Sequence, residues 1–185
     1  ALLDTLLATV KPEYIDLEDD LCSTEAGGKL LHRARRVGTE VIRSIHDFEG
    51  TPKELDERVE RLESAEGDIA KYAVRVTGTK ELKALFDTAR RARNARPDKR
   101  RILLGMGEYG LPSRLLPSHF ASSWTYCSAL EEGGATAAPG HLSPRELVER
   151  FAYRRAWEGE PLFAVLGDPV MHSGSPAYHN RKLRE

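Results

Sequence analysis

Ile42-Arg-Ser-Ile-His46-Asp-Phe48 and, one amphipathic stretch later, Asp68-Ile-Ala-Lys71-Tyr-Ala-Val-Arg-Val76 are the stretches whose reading decides the fold. Both have the length and apolar content of buried strands, yet one carries a histidine near its end and the other a lysine in its middle. A lysine among Ile, Ala, Tyr and Val is costly to bury charged. Lys71 therefore either reaches solvent or holds its amine neutral for chemistry. The second alternative is favoured, because a neutral amine is a nucleophile and His46, on the preceding strand, is a proton carrier that works near neutral pH. Together the two side chains point to imine chemistry.

Working outward, Thr51-Pro52-Lys53-Glu54 has the form of a capping box with proline at the first helical position. It predicts a helix carrying Leu55, Val59 and Leu62, stopped by Gly67, before a strand over Ile69 to Val76. Upstream, the spacing predicts a helix over Ala1 to Val10, a strand over Tyr14 to Leu17, a helix over Glu25 to Val37 stopped by Gly38, and a strand over Glu40 to His46. Downstream it predicts a helix over Thr79 to Arg93, a strand over Arg101 to Met106, a short helix around Leu115 and a fifth strand over Ser122 to Ser128. A small-residue loop over Gly133 to His141 leads to Ser143-Pro144-Arg145-Glu146, a second capping box opening a helix with Leu147, Phe151 and Trp157. Strands separated by helices and recurring about every thirty residues mean a parallel sheet with right-handed crossovers, either doubly wound or part of a (β/α) barrel.

Composition narrows the function classes. Among 185 residues, 40% are apolar and 31% charged, which describes a globular protein. Lys plus Arg number 28 against 29 Asp plus Glu, so net charge favours neither nucleic acid nor a membrane surface as partner. The basic run from Arg90 to Arg101 has no interleaved aromatics and reads as a solvated helix end. The two cysteines, Cys22 and Cys127, make no disulfide framework and suggest a reducing, cytoplasmic setting. No apolar run approaches the ~20 residues of a membrane helix. His32, His119 and Cys127 lack metal-ligand spacing, so no metal is assigned. The chain opens at Ala1 inside a helical pattern, which suggests that the protein begins further upstream.

Five motifs in order carry a family resemblance: Tyr-Ile-Asp16-Leu-Glu18, Ser-Ile-His46-Asp-Phe with Thr51-Pro52, Asp68-Ile-Ala-Lys71-Tyr-Ala, Met106-Gly-Glu-Tyr-Gly-Leu-Pro-Ser113-Arg114, and Ala-Ala-Pro139-Gly140. Together they resemble type I 3-dehydroquinate dehydratase. The resemblance implies a TIM-type (β/α)8 barrel, of which residues 1–158 would hold about strands four to eight with the last helix. Strands one to three would then lie outside the chain, leaving open edges that invite a homodimer. Residues 159–185 contain Leu162-Phe-Ala-Val-Leu-Gly167-Asp-Pro-Val-Met-His172-Ser173-Gly-Ser175-Pro176, which is similar to the opening strand and helix of shikimate dehydrogenase. The chain stops before that family's Gly-rich nucleotide loop would appear, so the NADP of that second enzyme would belong to a portion beyond this chain.

The first resemblance implies that Lys71 forms an imine with the ring ketone of 3-dehydroquinate and that His46 is the general acid and base. Strand alternation independently sets Ile69, Lys71 and Ala73 on one side, the inward side of a barrel. Against these stand an edge-strand lysine reaching solvent and a turn histidine bonded to Asp47. Arg114 matches the clamp for the substrate carboxylate, a task suited to its planar fork, against a solvated loop arginine. Met106 lines the cavity in the resemblance and is otherwise core. Where the family often shows Ser and Gln, this loop has Ala137 and His141; His141 can still donate a hydrogen bond and Ala137 cannot. The glutamate that orients the histidine is expected on the absent strands. Ser173 and Ser175 match the paired shikimate-binding serines, with a helix N-cap as the alternative for Ser175. No cofactor is expected for the dehydration. Two readings follow: a lyase converting 3-dehydroquinate to 3-dehydroshikimate and water, in the shikimate pathway of aromatic amino-acid biosynthesis, or a non-catalytic barrel segment serving as a structural or interaction module.

Overall fold

A computed structural model of the chain describes residues 2–128, 142–154, 163–167, 169–170 and 172–183. Its centre is a four-stranded parallel sheet in the order β1 (Tyr14–Glu18), β2 (Glu40–Asp47), β3 (Ile69–Arg75), β4 (Arg101–Met106). Between the strands run α2 (Asp19–Cys22) and α3 (Glu25–Val37), then α4 (Leu55–Ser64), then α5 (Thr79–Ala95); α1 (Leu2–Thr9) precedes β1. Spatial order equals chain order, and the helices pack on one face only. Leu55, Val59 and Leu62 of α4 and Leu85 and Ala89 of α5 bury against Tyr72, Val74 and Leu103. Leu7 of α1 and Leu30, Leu31 and Ala34 of α3 bury against Ile15, Leu17 and Val41. One-sided winding resolves the doubly wound alternative in favour of the barrel type. Burial of each such aliphatic side chain contributes roughly 1.5–3 kcal/mol, so this convex face holds the fold together.

Local signals account for most boundaries. Thr24 caps α3 by accepting from the Gly27 N–H at 3.1 Å, and Gly38 ends it in the left-handed region at φ +80°, where glycine has no Cβ penalty. The second capping box is formed: Ser143 N–H and Oγ–H donate to Glu146 Oε2 at 2.8 and 2.9 Å, and Glu146 N–H returns a bond to Ser143 Oγ at 3.2 Å. The helix it opens becomes a π turn over Glu146–Arg150. Trp157, expected on that helix, lies outside the described residues.

Three expectations are corrected. The first capping box does not form: α4 begins at Leu55, and the Thr51 hydroxyl instead donates to the Arg75 carbonyl at 3.1 Å, tying the β2–α4 loop to the end of β3. The fifth strand is absent from the described residues 122–128. Ala121 turns the chain at φ +52°, and the Ser122 hydroxyl occupies both the N–H and the C=O of Leu103, at 2.8 and 3.0 Å, where a backbone rung would sit. One backbone bond, from Ser123 N–H to Arg101 C=O at 2.8 Å, is all that remains of the pairing with β4 among these residues. The opening strand expected near Phe163 is also missing. Residues 163–167 have no regular structure, with Phe163 79% and Leu166 91% exposed, and no strand among the described residues pairs with them. The helix expected after it is present as α7 (Ser175–Lys182), held by Asn180 donating to the Arg150 carbonyl at 2.7 Å.

The basic run from Arg90 to Arg101 is engaged locally. Arg91 pairs with Asp56, Arg100 with Glu40, and Arg96 donates to Ser64 Oγ. Arg101 is 2% exposed and bonds Glu63, also buried, at 2.5 Å, while its Nη2 donates to the carbonyls of Ala92 and Arg96. This part of the cluster is a clasp between the helices and the foot of the sheet.

Candidate active site

The concave face is built from the residues that alternate with the convex core. By register, Glu18, Ser44, Lys71 and Ile102 form one row across the sheet, with His46, Ala73 and Leu104 in the next row toward the C-terminal ends. The β3–β4 half is apolar, with Ile69, Ala73, Ile102, Leu104 and Met106 buried together beside Ile42. The β1–β2 half is polar. Lys71 is 8% exposed, and its Nζ donates to Asp16 Oδ2 at 2.7 Å and stands 4.8 Å from the centre of the Tyr126 ring. The solvent-reaching alternative posed for Lys71 fails: the amine is withdrawn from solvent beside a carboxylate.

His46 lies on the neighbouring strand, displaced by one row from Lys71, with Nδ1 at 2.5 Å from Glu18 Oε1 and its ring stacked on Phe48 at 6.1 Å. Asp47 is not its partner; that carboxylate faces the opposite side, where Arg58 Nη1 is 3.3 Å away. The turn-histidine alternative therefore fails. Asp16 and Glu18 are site groups that the sequence reading does not single out beyond their motif. A signal was available: in Tyr14-Ile-Asp-Leu-Glu18 the acids occupy the face opposite buried Ile15 and Leu17, the same anomaly that marked Lys71. Ser44 was missed as well. Its Oγ is buried between Glu18 and Lys71 with no hydrogen-bond partner among the described residues.

Arg114 sits on α6 (Leu111–Leu115), which a 3-10 turn over Glu108–Gly110 joins to β4. Glycine permits this fold-back: a Cβ on Gly110 would lie 2.4 Å from the Gly105 carbonyl carbon, backbone against backbone. Arg114 is no solvated loop arginine. It is 2% exposed, its Nε and Nη1 have no partner among the described residues, and burial pulls its guanidinium pKa down to about 10. A cation held dry with two free donors favours an anion such as a carboxylate. Met106 packs in the concave core as the alternation required. Ser173 and Ser175 lie at the start of α7, remote in sequence from the concave face; Ser173 Oγ accepts from Ser175 N–H at 3.2 Å, so Ser175 is the first helical residue and not the cap. His141 and Ala137 lie outside the described residues.

Trp124 and Tyr126, from the segment expected to be a strand, turn onto the concave face. The Trp124 ring is 5.3 Å from that of Tyr14 on β1, so the segment reaches from the β4 edge across to the opposite edge of the sheet. Helices on one face of a parallel sheet, with a lysine, a histidine and two carboxylates gathered on the other, define an α/β protein of the TIM-like barrel class.

Comparison with known proteins gives the family. Residues 1–156 match the family described as Type I 3-dehydroquinase, and the chain belongs to it. It is 33% identical over 146 residues to the 3-dehydroquinate dehydratase of Clostridium kluyveri, an alignment covering 78% of this chain and 56% of that protein. It is 29% identical over 174 residues to the chloroplastic bifunctional 3-dehydroquinate dehydratase/shikimate dehydrogenase of Arabidopsis thaliana, covering 93% of this chain and 27% of that one. The type I 3-dehydroquinate dehydratase of Clostridium difficile, solved with covalently modified comenic acid, superposes with a TM-score of 0.69 at 28% identity, covering 79% of this chain and 56% of the other. The chain thus spans about half the length of the single-function relatives it matches, 56% in the Clostridium kluyveri case.

Proposed function

We propose that this chain carries the imine-forming centre of a 3-dehydroquinate dehydratase, a lyase of the shikimate pathway. The observation that carries the reading is the convergence of Lys71 and His46 from adjacent strands onto one concave face, beside apolar Ile102 and Leu104. In the proposed reaction the Lys71 amine passes a proton to His46, its neutral Nζ adds to the ring ketone of 3-dehydroquinate, and His46 returns the proton to the carbinol hydroxyl, which leaves as water and gives the imine. His46 then takes a proton from the carbon beside the imine and delivers a proton to the departing hydroxyl, which leaves as water. Hydrolysis of the imine consumes one water, releases 3-dehydroshikimate and restores the amine. Arg114, with two free donors in a dry setting, is proposed to hold the substrate carboxylate. Met106 would wall the cavity, and His141 would reach a substrate hydroxyl. No cofactor enters these steps.

The alignment with the bifunctional Arabidopsis protein spans 174 residues, which supports reading residues 159–185 as the start of a shikimate dehydrogenase domain after a dehydratase portion over 1–158. Ser173 and Ser175 would belong to that second activity, as would NADP. The two cysteines, both free, agree with a reducing, cytoplasmic setting.

The test is borohydride reduction in the presence of 3-dehydroquinate, followed by peptide mass spectrometry. The mass of one substrate or product molecule less one oxygen, fixed on Lys71 and lost in Lys71→Ala, is the expected result. Labelling that survives Lys71→Ala overturns the assignment, and a wild-type chain that binds substrate-like anions without labelling supports the structural-module reading instead.

A further inference from the structure

The stretch from Ser122 to Ser128 follows β4 where a further strand would extend the sheet, yet it lies over the concave face instead. Ala121 turns the chain at φ +52°, a left-handed conformation that a residue with a Cβ rarely adopts. The near end is tethered to β4 by the Ser122 hydroxyl on Leu103 and by Ser123 N–H on the Arg101 carbonyl. The far end is tethered by Ser128 N–H, which donates to the Leu142 carbonyl at 2.8 Å. Between the tethers Trp124 and Tyr126 pack on the apolar floor that includes Ile69, Ala73 and Ile102. Trp124 meets the Tyr14 ring at 5.3 Å, and the centre of the Tyr126 ring stands 4.8 Å from Lys71 Nζ. This closed position carries a cost of its own. Thr125 Oγ1 is buried with no hydrogen-bond partner among the described residues, so water would satisfy it only when the segment rises. Aromatic packing holds the segment down and an unsatisfied hydroxyl pushes it up, the balance expected of an element with two positions.

We propose that residues 124–127 are an autoinhibitory strap: closed, they shield the Lys71 amine, and a carbonyl compound reaches it only in the minor population whose strap has lifted. The consequence for imine formation rests on the proposed function, but the shielding is a property of the free protein. The amine is enclosed from every element around it. Asp16 takes Nζ from the β1 side at 2.7 Å, Ser44 and Ile102 stand beside Lys71 in its row of the sheet, and Tyr126 lies over it. Carbon atoms in contact sit about 3.5–4.0 Å apart, so a carbon skeleton between Nζ and the Tyr126 ring needs a gap of about 7 Å. The 4.8 Å present is too little, and Lys71 is only 8% exposed. Lifting the strap leaves the sheet whole, because its tethers at Ser122, Ser123 and Ser128 lie outside the part that covers the amine.

Reductive methylation of the 185-residue chain with isotopic formaldehyde and a borane reductant, read peptide by peptide by mass spectrometry, measures access to each lysine without 3-dehydroquinate. Two lysines serve as internal references. Lys80, exposed on the first turn of α5, reports an open amine; Lys99, donating to the Gly67 carbonyl at 2.9 Å at the foot of the sheet, reports an intact fold. In wild type Lys71 should react at least about tenfold more slowly than Lys80. Trp124→Ala, which removes the ring resting on Tyr14, should raise the Lys71 rate about tenfold with Lys99 unchanged. Thr125→Val, of similar shape but without the hydroxyl, favours the closed strap and should lower the Lys71 rate about fivefold. If Trp124→Ala quickens Lys99 as well, the fold has opened and Thr125→Val decides alone. A wild-type Lys71 that reacts as fast as Lys80, or a Lys71 rate that neither substitution moves at constant Lys99 rate, overturns the inference. If formaldehyde marks Lys71 faster in Trp124→Ala but 3-dehydroquinate with borohydride never marks it, the dehydratase reading falls and the strap stands.

Discussion

The two faces of one sheet are made from alternate residues of the same four strands, and they obey different rules. On the convex side most positions are apolar and meet a helix; among its charged pairs, Arg101 with Glu63 is the most deeply buried of those described. On the concave side five polar groups, Asp16, Glu18, Ser44, His46 and Lys71, are crowded over β1 to β3, one of them with a hydroxyl unpaired among the described residues. The contrast teaches that stability and chemistry are separated here by a period of two residues. Substitutions should therefore split by face: the convex side should answer in unfolding free energy, and the concave side in binding and turnover.

The largest expected effect is on the convex side. Glu63→Ala leaves the Arg101 guanidinium buried without its counter-ion and should cost about 3–5 kcal/mol, read by urea unfolding. A cost below about 1 kcal/mol would break the comparison, because the clasp would then be dispensable. Arg114→Met should do the reverse. Burial holds the Arg114 guanidinium at about 10 against an ordinary 12.5, a penalty of about 3 kcal/mol on the charged form, so the variant should be more stable by up to that amount while losing carboxylate affinity. The sign gives a second check. Below pH 10 both folded and unfolded chains hold this proton; above it the folded chain sheds the proton first. The wild type should therefore gain stability relative to Arg114→Met as pH rises past about 10.

Asp16→Ala removes the carboxylate from a Lys71 amine that is mostly buried, and should cost about 1–3 kcal/mol, well below the convex pair. A larger loss would mean that the concave cluster also supports the fold. Ser44→Ala should be the mildest, within about 1 kcal/mol of wild type and on the stabilising side, since it deletes a buried hydroxyl unpartnered among the described residues. Marked destabilisation, measured by the same unfolding curves, would show that the hydroxyl has a partner after all.

The same separation explains what the sequence disclosed. Apolar periodicity is a convex-face signal, and it located β1 to β4 and α3 and α5 to within about two residues. Lys71 and His46 were legible as violations of that signal. Glu18 and Asp16 violate it equally, but acids on a short strand look like an exposed edge until the partners across the sheet are known. The errors lie where one side chain takes an unexpected partner. Thr51 bonds Arg75 instead of capping α4, and Ser122 takes both polar groups of Leu103. Such choices depend on which group is nearest in space, information that local spacing does not hold. The strand near Phe163 is expected from the resemblance alone, and a resemblance cannot supply the neighbour a strand needs.

Spatial order equal to chain order has a consequence for how the molecule assembles. Each strand pairs with the one made just before it, through a crossover helix that packs on the rung it has just completed. Among these four strands every loop closed spans only one strand–helix unit, so the entropic cost of their pairing is met in small, similar steps. A chain emerging from the ribosome N-terminus first can therefore dock β2 on β1, β3 on β2 and β4 on β3 as each is completed. The ion pair between Asp16 and Lys71, which skips over β2, can form only at the third of these strands. The centre of the site is thus set by the last arrival among the elements that carry it.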